Sequence, residues 1–242
     1  MSSVRVIGGG RAGYSIHSAL VAAGWSSAGV LGREDNWTDA ARSVDLLVLA
    51  TPDEVLAEVS AAVVPVDETV VAHLSGATGL DVLVNHQARA SVHPLVTLPN
   101  PEIGAERLRG AWFAVAGEPP AINLIRQVVA DLQGRAVVVA ARNRAVYHAT
   151  AAVASNHLVA LLGQVERLAE IAGVPMEAYL DLAAGALNDV RVMGSVAALT
   201  GPAARGDERT IATHLAVLPT AERATYSALA AEARRLTRES GT

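Results

Sequence analysis

The stretch VRVIGGGRAG, residues 4–13, carries an apolar run broken only by Arg5 into three glycines, Gly8, Gly10 and Gly13, spaced G-x-G-x-x-G. A helical pattern follows from Arg11 through Ala23. Strand, tight glycine turn and helix N-terminus is the order a dinucleotide-binding turn requires. Gly8 then permits the sharp turn. Gly10 leaves the backbone open to a pyrophosphate that a Cβ would strike, and Gly13 lets the helix lie close to the strand. The first-turn N–H groups, on Arg11, Ala12 and Gly13, face the phosphates, and the helix dipole favours their negative charge. The alternative is a glycine-rich turn kept by a fold that binds no cofactor.

Working outward, the chain of 242 residues suits one large domain or two small ones. Hydrophobic residues make up 51% and aromatics 3%, so the core must pack through small side chains. All 19 basic residues are Arg; with no Lys, chemistry that needs a lysine amine is excluded. A net charge of −5 offers no basic surface for nucleic acid. Without Cys there is no disulfide and no thiolate metal site, and no metal is expected. That suits a reducing cytoplasm. The N-terminus runs straight into the first strand, so no signal peptide is expected. No apolar run reaches membrane-span length without His, Asn or a charged residue inside it, so no membrane association is expected.

Strands are expected at 27–31, 45–50, 69–74, 90–92, 111–116 and 136–140, alternating with helical patterns such as 119–132. The run DLLVLA, residues 45–50, is almost wholly apolar, as in a parallel strand covered on both faces. The pattern predicts an α/β fold: a Rossmann-type doubly wound parallel sheet over residues 1–141, followed by an all-α domain over 142–242. The helical half reads as long helices from Arg144 to Ile171 and from Pro175 or Met176 to Leu199. A helix capped by Asp207 and a last one capped by Thr220 follow.

Arg33 stands 20 residues past Gly13, where such a fold meets the adenosine ribose. An acidic residue there binds the 2′-OH; an arginine can pair with the 2′-phosphate of NADP. A solvated loop arginine is the plainer alternative, and Glu34 or Asp35 could reach a ribose hydroxyl. Thr51, Pro52 and Ser75 lie at C-terminal strand ends, where the nicotinamide half should pass. Thr51 and Asp53 also read as helix caps. His73, inside a strand, reads equally as a buried structural histidine. His93, before Pro94, could be aimed into the crevice. On the helix from Arg144, His148 and Asn156 share a face with Ser155, either lining a site or meeting solvent. Arg205 is a natural fork for a carboxylate, and Asp207 and His214 follow it on the next helix; the plainer reading is a solvated arginine and a capping aspartate.

Several stretches together carry a resemblance. VRVIGGGRAG, ATPD, HLSG, SVHPL, YHATAAVASNHL and GPAARGDERTIATHL resemble the Rossmann-like oxidoreductases that carry domain of unknown function 2520. That family is similar in layout to ketopantoate reductase, pyrroline-5-carboxylate reductase and 6-phosphogluconate dehydrogenase, which pair an NAD(P) domain with a helical domain that commonly dimerises. Ketopantoate reductase and the hydroxyacid dehydrogenases use a Lys-x-x-x-Asn helix. Asn156 matches the Asn, but Ala152 stands in place of the Lys.

The expectation is therefore an NADPH-dependent reductase of a small 2-oxo acid or related carbonyl, such as ketopantoate. His148 would be the proton donor, with His93 and His214 in reserve; Asn156 would orient the substrate oxygen, and Arg205, Asp207 and His214 would meet a small carboxylate substrate. A reductase of a cyclic imine and a non-catalytic NADP-binding sensor or partner protein are the alternatives. Apolar residues around the helices from Arg144 to Leu199 predict a homodimer through the helical domain.

Overall fold

Seven strands form one sheet in the order β2-β1-β3-β4-β5-β6-β7. They are β1 (Ser3–Ile7), β2 (Ser26–Leu31), β3 (Leu46–Leu49), β4 (Val70–His73), β5 (Arg89–Pro94), β6 (Trp112–Gly117) and β7 (Arg135–Val138). The structure is a computed structural model and describes residues 1–239. The chain divides into two compact units, Met1–Ser155 and Asn156–Thr242. The sheet ends at Val138, close to residue 141, and the first unit runs on through the helix α5 (Arg144–Ala152).

The first five strands are parallel, as the apolar run 45–50 predicts. Leu46 to Leu49 are all buried because helices cover both faces of β3. Even-numbered Leu46 and Val48 join the core under α1 (Arg11–Ala22) and α4 (Ala121–Asp131), while Leu47 and Leu49 join the core under α2 (Leu56–Ala62). Each such side chain contributes about 2 kcal/mol of burial.

The sheet is not wholly parallel. β6 runs antiparallel to β5, with His93 opposite Ala114, and β7 follows β6 in parallel after α4. After β5 the chain forms α3 (Pro101–Leu108), which packs against α1. The backbone then re-enters the sheet alongside β5, where Leu95 N–H bonds the Trp112 carbonyl at 2.8 Å.

Register matters most for the site. Leu31, Ile7, Leu49, His73 and Ser91 pair into one row across β2, β1, β3, β4 and β5. The residues just beyond that row, Gly32-Arg33, Gly8, Ala50-Thr51, Leu74-Ser75 and Val92-His93, therefore emerge along one edge. Strand order reverses beside β1, which makes the gap between β1 and β3 the switch point where ligands of open α/β sheets bind.

The second unit holds α6 (Leu158–Ala172), α7 (Met176–Ala198), α8 (Pro202–Arg205), α9 (Glu208–Val217) and α10 (Thr220–Glu239). α7 is broken at Gly194, whose φ of 82° and ψ of 162° are not helical. The Glu222 carboxylate takes two bonds from Arg167, at 2.7 and 3.1 Å, and ties α10 to α6. The core of this unit is thin: among its described residues the buried hydrophobics are Ala169 and Ile211. α7 has no buried residue, and Leu182 and Val192 are about 70% exposed (69% and 72%). The helical stretches 141–172 and 176–205 are long and apolar enough to cross a membrane by length and composition alone.

Candidate functional site

Gly8 follows β1 with φ +117°, a conformation that favours glycine, and a Cβ there would lie 2.6 Å from the Ala50 carbonyl oxygen. A Cβ on Gly13 would lie 1.9 Å from the Gly8 carbonyl oxygen, so α1 can approach the turn only with glycine at that position. At Gly10 a Cβ would meet nothing within 4 Å, so the space beside this backbone is open. Gly10 is the N-cap of α1 and offers no side-chain cap, and no acid occupies the first turn. The free N–H groups at this end are available to an anion.

A cavity of about 740 Å³ opens from this turn across the switch point. Gly8, Gly10, Arg33, Thr51 and Pro52 line it, as the strand ends predict, together with Trp37 and Glu58. The Thr51 hydroxyl is buried and has no hydrogen-bond partner, an orphan that a ligand would satisfy. Arg33 is exposed and makes no ion pair among the described residues. Asp35 is otherwise engaged: its carboxylate accepts from Gly32 N–H at 2.6 Å. Open backbone, uncapped helix, orphan hydroxyl and unpaired guanidinium fit the phosphates and ribose of a dinucleotide. Trp37 carries no signal in the glycine motif; its Nε1 donates to the Gly32 carbonyl at 2.8 Å and holds the ring at the wall.

At the next strand end the polar groups serve one another. Ser75 donates to Asp53 at 2.7 Å and accepts from the N–H groups of Ala77 and Thr78. Its hydroxyl proton is thus taken by Asp53, and Ser75 is not among the residues that line the cavity. Neither Thr51 nor Asp53 caps a helix with its side chain. His73 is fully buried; it accepts from Ser75 N–H on Nδ1 at 3.2 Å and so donates from Nε2 to the Gly79 carbonyl at 3.1 Å. Burial pushes its pKa down to about 4, which keeps it neutral and makes it a structural residue.

Beyond it lies a cluster from β5 and α5. His93 is inside β5 rather than after it. Its Nδ1 is 2.5 Å from the Tyr147 hydroxyl, and its ring stands edge-on to His148 with centroids 6.0 Å apart. Gly76 backs both rings: a Cβ there would lie 2.8 Å from His148 Cδ2 and 2.9 Å from His93 Nε2. Burial, followed by the neighbouring His148 and the Arg144 cation, lowers the His93 pKa to about 4. A ring with a pKa near 4 is neutral at neutral pH. His148 is exposed. Arg144 is buried and bonds Thr78 O at 3.0 Å and Ser91 Oγ at 2.6 Å, both neutral acceptors.

The remaining expected residues belong to the second unit. Asn156 lies in a π-helical turn, Val153–His157, where the sequence pattern predicts continuous α-helix. Such turns are frequent at functional sites. Asp207 caps α9: its two oxygens accept from Thr210 N–H at 3.0 Å and Thr210 Oγ1 at 2.7 Å. His214 Nδ1 pairs with the Tyr226 hydroxyl at 2.7 Å. Arg205 closes the single turn of α8; its exposed side chain makes no hydrogen bond or ion pair among the described residues. No group of His, Asp or Glu side chains suited to a metal ion occurs among the described residues.

Comparison with known proteins agrees with this architecture. The model of the family described as domain of unknown function DUF2520 matches residues 111–233, and a Rossmann-like domain model matches residues 33–99. The sheet reverses direction between the two matches. No curated protein sequence matches the chain. Among solved structures, a candidate NADP oxidoreductase from Bacteroides fragilis is 18% identical with a TM-score of 0.81, over 97% of this chain and 98% of that one. A protein from Thermotoga maritima is 18% identical with a TM-score of 0.74, over 99% and 100%. Pyrroline carboxylate reductase from Plasmodium falciparum, with NADP bound, is 10% identical with a TM-score of 0.63, over 98% of each chain. These identities show a shared fold. The DUF2520 match spans half of the chain, and the chain belongs to that family.

Proposed function

We propose that this DUF2520 protein is an NADPH-dependent oxidoreductase that reduces a small 2-oxo acid or related carbonyl, with ketopantoate among the substrates to try. The observation that carries the reading is the cavity at the switch point. Its wall joins the open Gly10 backbone, the uncapped N-terminus of α1, the orphan Thr51 hydroxyl and the unpaired Arg33. Arg33 binds the 2′-phosphate, which is why NADPH is preferred. Bound there, NADPH supplies the hydride. The chain's own part is to hold the substrate and manage the proton at its oxygen. His148, exposed beside Gly76, donates that proton, and the half-buried neutral His93 hydrogen-bonds the oxygen as charge develops on it.

A second reading, a cyclic imine as substrate, is favoured by one feature of the chain. It contains no lysine to stand beside a developing alkoxide, whereas reduction of a protonated C=N bond leaves a neutral amine and makes no oxyanion. Pyrroline carboxylate reductases among the structural neighbours point the same way. The test is loss of NADPH absorbance with a panel of 2-oxo acids, ketopantoate included, and cyclic imines. Consumption with either class assigns the substrate; saturable NADPH binding without consumption refutes the enzyme and leaves a nucleotide sensor.

We also propose that the helical unit forms a homodimer, in which a second copy covers the bare apolar faces of α7.

A further inference from the structure

Tyr147 sits on α5, 54 residues from the histidine it touches, and the reaction outlined above gives it no part. Its hydroxyl meets His93 Nδ1 at 2.5 Å and has no other partner among the described residues. A phenol is the stronger donor and an imidazole nitrogen the stronger acceptor, so the proton of this bond belongs to Tyr147. Nδ1 is then bare, and the ring proton of the neutral imidazole must be on Nε2. That N–H makes no hydrogen bond among the described residues. It lies beside Gly76, whose missing side chain lets the rings of His93 and His148 close in: both come within 3 Å of where a Cβ would stand.

We propose that Tyr147 is a positioning residue for this site: it fixes His93 as the Nε2–H tautomer, so that His93 presents a neutral N–H donor past Gly76 to the reacting oxygen of the substrate. The substrate part of the inference rests on the reductase reading. A neutral imidazole held in one tautomer is a preorganised donor for a developing oxyanion, and donors of this kind are worth roughly 100- to 1,000-fold in rate. Tyr147 makes the arrangement specific. Without it both tautomers are open to His93, and one of them turns a bare nitrogen towards the oxygen. The charges around His93 are those of His148 and Arg144 on α5, His73 on β4 and Asp53 after β3, and Tyr147 on α5 adds its hydrogen bond. The bond from Tyr147 favours the neutral ring, in the same direction as burial and Arg144.

The test is Tyr147→Phe in the full chain, read two ways. Nitrogen NMR of the histidine rings in the cofactor-free protein should show His93 protonated on Nε2 alone. In Tyr147→Phe it should show a mixture of tautomers, with the titration of His93 moved upward from about 4. With a substrate that the unchanged protein reduces, Tyr147→Phe should lower kcat roughly tenfold, less than outright removal of a donor, with KM within about twofold. His93→Gln keeps a donor near the Nε2 position and has no tautomers; in that background Tyr147→Phe should cost under about twofold more. A proton on Nδ1 in the unchanged protein, or an unaltered tautomer in Tyr147→Phe, overturns the inference. So does an unaltered kcat beside an altered tautomer. If the unchanged protein reduces nothing, the reductase reading and the substrate role fall together, while the NMR result still decides whether Tyr147 sets the tautomer of His93.

Discussion

Lowering the pH from 7 to 5 should destabilise the first unit by about 4 kcal/mol, and two histidines supply that figure. His73 and His93 both titrate near 4 in the folded chain, mainly because burial disfavours the imidazolium. In the unfolded chain a histidine titrates near 6.5, so below that value the unfolded state binds more protons than the folded one. Stability is therefore full above pH 6.5 and falls as the pH drops towards 4. Integrating the proton difference gives about 2 kcal/mol for each histidine at pH 5 and almost nothing at pH 7. His17 and His86, also lowered by burial, act in the same direction, which makes the figure a floor. The lowered carboxylate of Asp45 loses its contribution at more acid pH, outside this window. Trp25, Trp37 and Trp112 are the chain's three tryptophans and all lie in the first unit, so their fluorescence in guanidinium follows that unit alone. An unfolding midpoint that does not move between pH 7 and pH 5 would refute the reasoning, as would ring signals of His73 and His93 that titrate near 6.5.

Three other changes have expected outcomes. Gly13→Ala places a Cβ 1.9 Å from the Gly8 carbonyl oxygen, so it should abolish NADPH binding and lower the melting temperature; a variant that binds NADPH normally would mean that the turn relaxes freely. His148→Ala should lower kcat by roughly 100- to 10,000-fold with cofactor affinity intact, the range for loss of a proton donor. Unchanged turnover with reduced thermal stability would instead make His148 a packing residue. Light scattering at micromolar concentration should report a dimer, and a charge introduced at Val192 on the bare face of α7 should dissociate it; a monomer in the unchanged protein would count against the helical interface.

Much of the first unit is legible in the sequence because its signals are local. Gly8 and Gly13 each meet a steric demand visible from the motif, Gly10 leaves its backbone open, and the almost wholly apolar 45–50 run announces a strand covered on both faces. Counting from Gly13 finds Arg33 because a βαβ unit has a nearly fixed length. The reversal at β6 has no such signal, since its direction is set by where α3 packs on α1 and not by any residue in β6. Tyr147 stands in the open next to His148, yet its partner is in β5, and no spacing rule connects a helix to a strand 54 residues away. The π turn at Val153–His157 and the break at Gly194 both interrupt runs whose apolar pattern reads as unbroken α-helix, because a glycine or a polar pair inside a helix does not by itself end it. Ser75 shows the opposite case. Its position at a strand end follows from the pattern alone, but its hydroxyl is taken by Asp53 and by the turn it closes.

The central claim is that the glycine turn and Arg33 together hold NADPH, and calorimetric titration of both cofactors against the unchanged protein and Arg33→Ala tests it most directly. The account predicts that NADPH binds more tightly than NADH, and that Arg33→Ala weakens NADPH by about tenfold or more, the loss of a charge-assisted fork on the 2′-phosphate, while sparing NADH. Equal affinity for NADH and NADPH in the unchanged protein would contradict the role of Arg33, and no binding of either would contradict the account as a whole.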